Sequence, residues 1–317
     1  MRKITISLGA VVILVSAAFL VLRTPDTNSA EMQARYGGTD SRFADTAGGM
    51  SVHYRDQGCR DCPAIILVHG SNSSLHTFAP LVRILENRYR LISYDQPGHG
   101  LTGPHPLDDY SAQGMFEGID AVVDATGVER FAIAGNSMGG WVGWRYALEN
   151  PGALSALILI SASDAPPAPG SEKPRLYLGA RIMRHPIGRF LAQFITPRYL
   201  VEQSLFDSIS NDAQVTETMV DRYWELLRLP GNRRAAGLLA LADREPAYGQ
   251  RLSELNLPTL ILWGEEDHVV PVHNAKTFDD LIPDSDLEIF KGVGHLAMEE
   301  APDRTAVAID KFLSGIQ

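Results

Sequence analysis

Ten residues decide the fold of this chain: Phe131-Ala132-Ile133-Ala134-Gly135-Asn136-Ser137-Met138-Gly139-Gly140. A short apolar run leads into Gly-x-Ser-x-Gly and then into an apolar stripe at helical spacing, which predicts a strand, a sharp turn and a helix. The glycines on either side let strand and helix approach closely, and the turn holds the hydroxyl of Ser137 clear of the backbone. Gly-x-Ser-x-Gly also occurs in plain glycine-rich turns, but the flanking strand and helix favour a nucleophilic serine.

A nucleophilic serine needs a base within hydrogen-bond reach. Among nine histidines, His295 stands directly after the last predicted strand and before the last predicted helix. A loop at that edge of a sheet can present its imidazole to Ser137. His69 lies in a tight turn beside a strand end, and we interpret it as structural. The remaining histidines lack a comparable position late in the chain: His53, His76, His99, His105, His185, His268 and His273.

The base in turn needs a carboxylate that fixes its tautomer. Asp267 follows the apolar run 260–263 and a Gly-Glu-Glu turn, so it is predicted to emerge at the same edge as His295. Glu265 and Glu266 are the alternatives, and Asp164 is a further one. Asp267 could also simply cap the helix that follows. The order Ser, Asp, His along the chain favours the catalytic role.

Strand-like and helical patterns alternate along most of the chain, which predicts an α/β fold with a mostly parallel sheet covered by helices on both faces. Ligands of such sheets bind at the carboxyl ends of the strands. The strand-like runs cover residues 51–55, 64–68, 90–94, 131–134, 156–160, 259–263 and 287–290, and the helical patterns cover residues 77–85, 112–126, 139–149, 272–281 and 302–313.

One stretch, residues 164–250, contains no strand pattern and reads as helical segments separated by prolines. We expect it to be a helical cap inserted between two parts of the core, residues 31–163 and 251–317. Basic residues slightly outnumber acidic ones in the cap, although the chain as a whole carries a net charge of −10. The cap could therefore face an anionic substrate or an anionic lipid surface, or it could be an ordinary solvated helical surface.

The N-terminus differs from the rest. Residues 4–22 carry no charge, and a helix of that length, at about 1.5 Å per residue, approaches the roughly 30 Å of a bilayer core. We therefore expect residues 1–30 to form a membrane anchor and linker, with a polar linker continuing over 30–46. A cleaved signal peptide is the alternative, although its apolar part is typically shorter. Arg2 and Lys3 outweigh Arg23, which predicts that the catalytic domain lies outside the cytoplasm.

Charge and cysteine content narrow the choice of partners. The acidic balance argues against nucleic acid, because phosphate binding requires clustered cations. Cys59 and Cys62 are the only two cysteines, and without a second pair a structural zinc site is not expected. They lie in a polar turn between two predicted strands, where redox pairs are not usual. A local disulfide in an oxidising compartment and two free thiols are the remaining interpretations.

Several motifs resemble those of the α/β-hydrolase superfamily, and they occur in family order from about residue 43 to the C-terminus. The resemblance implies an oxyanion hole made of two backbone N–H groups, those of Ser71 and Met138 in this chain. Such donors typically contribute about 3 kcal/mol each to transition-state stabilisation. The motifs are Gly135-Asn136-Ser137-Met138-Gly139-Gly140, His69-Gly70, Asp95-Gln96-Pro97-Gly98-His99-Gly100, Trp263-Gly264-Glu265-Glu266-Asp267 and Gly294-His295.

The resemblance implies an acyl-enzyme mechanism that needs no metal or cofactor, with carboxylic esters or related small carbonyl compounds as substrates. The hexapeptide around Ser137 and the cap also resemble carbon-carbon bond hydrolases of ring-opened aromatics, but Leu296 follows His295 where that group tends to have tryptophan. A cofactor-free haloperoxidase or perhydrolase would use the same three side chains. A membrane-tethered sensor of a small ligand is the non-enzymatic alternative, and it has little use for a complete triad.

Overall fold

The computed structural model describes residues 8–166 and 178–316. Its centre is an eight-stranded sheet, which we number in chain order. The strands are β1 (Arg42–Asp45), β2 (Ser51–Gly58), β3 (Ala64–Val68), β4 (Arg90–Tyr94), β5 (Phe131–Asn136), β6 (Leu154–Ile160), β7 (Thr259–Gly264) and β8 (Ser285–Phe290). Their order in the sheet is β1-β2-β4-β3-β5-β6-β7-β8. Only the two pairings of β2 are antiparallel, so the predicted mostly parallel sheet is confirmed.

Helices follow most of the strands, and short 3-10 turns occur at Leu75–Phe78, Asp212–Gln214 and Pro246–Glu254. The α-helices are α1 (Leu8–Leu22), α2 (Ser29–Tyr36), α3 (Ala79–Leu85), α4 (Ala112–Thr126), α5 (Met138–Glu149), α6 (Leu178–Arg184), α7 (Pro186–Ala192), α8 (Arg198–Ser208), α9 (Glu217–Leu227), α10 (Asn232–Leu239), α11 (His273–Leu281), α12 (Ala297–Glu300) and α13 (Pro302–Gly315).

The two faces of the sheet bury two separate hydrophobic cores. Successive side chains of a strand point to opposite faces, so Ile66 of β3 packs in the core formed with α4 and α5. Its neighbour Ile65 packs in the core formed with α3 and α13. A strand that is apolar at every position, as β3 is, fits only a sheet covered on both sides.

The prediction of a polar linker over residues 30–46 is wrong. This segment contains most of α2 and all of β1, which pairs with β2 at the edge of the sheet. Only Ala44 is buried among the four residues of β1, so the strand has almost no apolar pattern for sequence reasoning to detect. Between β2 and β3, Cys59 and Cys62 are joined by a disulfide bond.

The chain between β6 and β7 carries the cap. Its described part consists of helices α6 to α10 and two 3-10 turns, with no strand in that part. The cap leaves the sheet at the carboxyl end of β6, the edge where ligands bind in parallel sheets. The proline-rich residues 167–170 fall outside the described part of the chain.

The predicted transmembrane helix over residues 4–22 is not supported. Across residues 8–166 and 178–316, no helix combines the length and the apolar character needed to cross a membrane. Residues 4–7 lie outside the described chain.

Close packing of α5 against β3 gives a test of the fold. A Cβ atom on Gly139 would lie 2.0 Å from the carbonyl oxygen of Val68, so strand or helix must move to admit it. We expect Gly139→Ala to lower the free energy of unfolding by about 3 kcal/mol, at the upper end of overpacking costs, as measured by chemical denaturation. Gly152→Ala is the matched control, because nothing lies within 4 Å of its added Cβ. Equal stability of the two variants would contradict the packing described.

Candidate active site

Ser137 occupies the turn between β5 and α5 in a conformation that few non-glycine residues adopt. Its φ is 53° and its ψ is −119°, a combination that costs about 1–3 kcal/mol unless the surroundings enforce it. Two hydrogen bonds from β6 and its extension hold the turn: Ser137 donates its N–H to the Ile160 carbonyl at 3.0 Å and accepts from the Ser163 N–H at 2.9 Å. The turn therefore presents the side chain at the carboxyl end of β5.

His295 and Asp267 meet at the same edge. His295 Nδ1 lies 2.7 Å from Asp267 Oδ2, and both side chains are buried. The second carboxylate oxygen of Asp267 accepts the N–H groups of Val269 and Val270, each at 2.8 Å. Since a carboxylate only accepts hydrogen bonds, the proton sits on Nδ1 and the lone pair of the ring sits on Nε2.

Asn136 links the two parts of the site. This residue immediately precedes Ser137, and its side-chain amide donates to the carbonyl oxygen of His295 at 3.1 Å and to that of Ile160 at 3.1 Å. The backbone of His295 is thereby held beside the serine turn. Within the described residues, no hydrogen bond joins Ser137 Oγ to His295 Nε2. Catalytic hydrogen bonds are often long in a free enzyme and tighten when substrate binds.

The predicted oxyanion-hole residues are neighbours in space. The hydroxyl of Ser71 donates to Met138 Sδ at 3.3 Å, and a Cβ on Gly70 would lie 3.1 Å from the Cβ of Ser137. In the described chain, neither backbone N–H of Ser71 and Met138 is used in a hydrogen bond. Two free donors thus stand beside the serine.

The alternative carboxylates are not placed to act on His295. Glu265 and Glu266 are exposed. Asp164 accepts a hydrogen bond from Ser163 at 2.7 Å and pairs with Arg244 at 3.2 Å. Among residues 8–166 and 178–316, no group of three or more His, Cys, Asp or Glu side chains could hold a metal ion.

His69 uses both ring nitrogens within the protein. Nδ1 donates to the Gly70 carbonyl at 2.7 Å, and Nε2 accepts the N–H of Gln96 at 3.0 Å. Burial lowers the pKa of His69, so the ring is neutral at neutral pH. These contacts hold the turn that carries Ser71 against the loop after β4.

The cap contacts the His295 loop directly. His295 donates its backbone N–H to the carbonyl of Ser208, at the end of α8, at 2.7 Å. The carboxylate of Glu300 accepts the N–H of Gly294 at 2.7 Å and those of Ser210 and Asn211 at 3.1 and 3.2 Å. One carboxylate therefore fixes the catalytic loop and the cap to each other. A cavity of about 320 Å³ lies behind this junction, and Ser137 does not line it.

A second cap contact reaches the loop that follows Ser71. Glu299 accepts from Tyr223 of α9 at 2.7 Å, from Thr77 at 2.6 Å and from Arg222 at 2.7 Å. The Tyr223 oxygen accepts the hydroxyl of Ser73 at 3.2 Å. Burial raises the pKa of Tyr223, and the charge of Glu299 raises it further, so the hydroxyl stays protonated. The cap thus holds both the predicted oxyanion loop and the segment after His295.

Sequence reasoning missed three residues of this site: Asn136, Glu299 and Glu300. A signal for the last two was present, since both carboxylates follow the apolar run 296–298, where a helix is expected to bury one side. Buried carboxylates need partners. Those partners come from the cap, far away in sequence, and could not be named in advance.

Comparison with known proteins agrees with this geometry. A sequence model of the α/β-hydrolase fold matches residues 63–302. The chain is 27% identical to 2-hydroxy-6-oxo-6-phenylhexa-2,4-dienoate hydrolase of Comamonas testosteroni, an alignment covering 82% of this chain and 90% of that protein. It is also 27% identical to monoacylglycerol lipase abhd6-A of Xenopus laevis, covering 80% of this chain and 76% of that protein.

Among solved structures, a membrane phospholipase A described as a bacterial virulence factor has the same fold. It superposes with a TM-score of 0.72 at 24% identity, covering 98% of this chain and 97% of that chain. Because the family model spans well over half of the sequence and the predicted resemblance is thereby confirmed, the protein belongs to the α/β-hydrolase fold family.

Proposed function

We propose that this hydrolase is a serine esterase that acts through an acyl-enzyme, with Ser137 as nucleophile, His295 as base and Asp267 as the residue that orients the base. The observation that carries the proposal is the 2.7 Å contact between His295 and Asp267, in a loop tied through Asn136 to the strained turn at Ser137. A family member of this fold can use several nucleophiles, and here the turn carries serine.

The first half of the reaction forms the acyl-enzyme. Ser137 Oγ attacks the ester carbonyl while its proton passes to His295 Nε2, which the Asp267 contact leaves unprotonated beforehand. The tetrahedral oxyanion lies against the backbone N–H groups of Ser71 and Met138. When the carbon–oxygen bond of the ester breaks, His295 returns the proton to the departing alcohol.

The second half releases the acid. Water loses a proton to His295 Nε2 and attacks the acyl carbon, and the same two N–H groups stabilise the second oxyanion. Collapse of that intermediate breaks the bond to Ser137 Oγ, which takes the proton back from His295. This sequence of steps requires no metal and no cofactor.

Esters fit the site better than the ring-opened dienoate named for the Comamonas relative. That substrate carries a carboxylate, and burying a carboxylate requires an available cation. In the described part of the cap, two largely buried cations are already paired: Arg222 with Glu299 at 2.7 Å and Arg244 with Asp164 at 3.2 Å. A neutral ester demands no such partner. Carbon-carbon bond cleavage is therefore the second candidate, favoured by the similarity to that relative and to a second hydrolase named for a related substrate.

The catalytic roles predict the behaviour of two variants. Ser137→Ala should abolish labelling by a fluorophosphonate, because the hydroxyl that His295 activates is gone. Asp267→Asn should lower kcat by about 10⁴-fold, because the wrong ring nitrogen of His295 then carries the proton. The labelling is measured with a fluorescent fluorophosphonate, and kcat is measured with p-nitrophenyl acetate. Glu265→Gln, at an exposed carboxylate two residues away, is the matched control and should keep the wild-type rate. Labelling that persists in Ser137→Ala would sink the proposal.

The substrate class is tested by comparing kcat/KM for p-nitrophenyl esters of rising chain length with that for 2-hydroxy-6-oxo-6-phenylhexa-2,4-dienoate. We expect the best ester to exceed the dienoate by at least roughly 100-fold, the cost of burying an unpaired carboxylate. Adding hydrogen peroxide as an alternative acceptor of the acyl group tests the perhydrolase alternative. We expect water to remain the preferred acceptor. The reverse order for ester and dienoate would replace the esterase by a carbon-carbon bond hydrolase.

We further propose that residues 4–22 attach the enzyme to a membrane and that the catalytic domain lies outside the cytoplasm. Arg2 and Lys3 precede the apolar run and a single Arg23 follows it, which favours a cytoplasmic N-terminus. The disulfide between Cys59 and Cys62 suits an oxidising compartment. Nothing in the chemistry of Ser137 depends on this attachment.

Two measurements test the location. N-terminal sequencing of protein isolated from membranes should give the uncleaved start, because the apolar run lacks a good cleavage site after it. Alkaline phosphatase fused to the C-terminus should be active, since that enzyme matures only in an oxidising compartment. A mature chain beginning near residue 31 would establish a cleaved signal peptide, and an inactive fusion would reverse the orientation.

A further inference from the structure

The outer side of the cap carries an exposed apolar group that neither the fold nor the catalytic site uses. It belongs to the cap hairpin, which we define as α6 and α7, Leu178–Arg184 and Pro186–Ala192. Leu178 is 58% exposed, Ile187 65% and Phe190 59%. Single exposed apolar residues are ordinary, but a contiguous group marks an interaction surface.

Packing fixes which side of the hairpin faces outward. A Cβ on Gly188 would lie 2.5 Å from the carbonyl oxygen of Ile182, so α7 is pressed closely against α6. The aliphatic part of Arg189 fills the space beside Gly237 of α10, where an added Cβ would lie 2.7 Å from it. Since this side is committed to the cap, Ile187 and Phe190 are held facing away from it.

The same surface is positively charged. Residues 178–201 contain four arginines and no acidic residue, in a chain whose net charge is −10. Arg198 is neutralised by Asp221 at 2.7 Å. Arg181 and Arg184 are exposed and form no ion pair with any described residue. The hairpin thus offers free positive charge next to apolar side chains, the combination that binds anionic lipid surfaces.

The C-terminal end of α1 continues this surface. The rings of Phe19 and Phe194 lie 5.9 Å apart, and Thr24 donates its N–H to the Phe194 carbonyl at 2.7 Å. Next to this junction, Leu20 and Val21 are 70% and 83% exposed. The C-terminal end of α1 is therefore joined to the cap directly after the hairpin, and its apolar side chains are exposed there.

We propose that the cap hairpin and the C-terminal end of α1 form one docking surface that lies on an anionic lipid bilayer. Apolar side chains of the hairpin enter the boundary between head groups and acyl chains, while Arg181 and Arg184 contact lipid phosphates. A second copy of the chain fits this surface less well, because a symmetric pairing sets the same arginines against each other. The surface is independent of the reaction at Ser137.

The test measures lipid contact at one position. Ile187→Cys is made in the full-length Ser137→Ala chain, which cannot hydrolyse the lipid. Because Cys59 and Cys62 are bonded to each other, the new thiol alone takes an environment-sensitive fluorophore. On phosphatidylglycerol vesicles carrying nitroxide lipids we expect a blue-shifted, quenched emission. Ile84→Cys is the matched control, since Ile84 is exposed on α3 and should stay in water. A probe at residue 187 that stays in water on vesicle-bound protein overturns the proposal.

A second pair of variants separates charge from apolar contact. Made in the labelled Ile187→Cys chain, Arg181→Gln with Arg184→Gln should weaken docking of the hairpin on phosphatidylglycerol vesicles, measured as quenching at residue 187, by roughly 25-fold and leave the quenching on phosphatidylcholine vesicles unchanged. Arg83→Gln with Arg130→Gln removes the same charge from exposed positions outside the cap and should have no such effect. Equal loss in both pairs would mean that total charge, not this surface, drives binding. A blue shift of the probe at residue 187 that depends on protein concentration and occurs without vesicles would overturn the proposal and assign the surface to a second copy. Thermal unfolding checks that each variant is folded.

Discussion

The strained turn at Ser137 is the constraint on which the rest of the structure depends. A φ of 53° at a serine is held by the hydrogen bonds to Ile160 and from Ser163 and by the tight packing of β5 against α5. Gly135 and Gly139 make that packing possible: a Cβ on Gly135 would lie 2.3 Å from the Gly139 carbonyl oxygen. With the turn fixed, Asn136 has a fixed direction, and through it the position of the His295 backbone is set.

The sheet, and the placement of Ser137, Asp267 and His295 at the carboxyl ends of its strands, could be predicted because the sequence signals are local. Strand β3 and strand β4 have the predicted bounds, since each is a short apolar run between polar turns. Asp267 and His295 each follow a strand, and parallel strands bring their carboxyl ends to one edge. Their 2.7 Å contact is a consequence of topology. Strand β1 was missed because one buried alanine leaves no pattern to find.

The parts that could not be predicted are those whose partners lie across the cap. Glu300 binds the backbone of Ser210 and Asn211, and backbone N–H groups carry no sequence signature.

The cap contacts bear on how substrate reaches Ser137. Tyr223 reaches Ser73, in the loop that follows Ser71, and Ser208 accepts the N–H of His295. Any movement of the cap that admits substrate must strain or break hydrogen bonds to both halves of the site, and its closure must restore them. The cap therefore acts as more than a steric cover, because its contacts help to position His295 and the loop that follows Ser71.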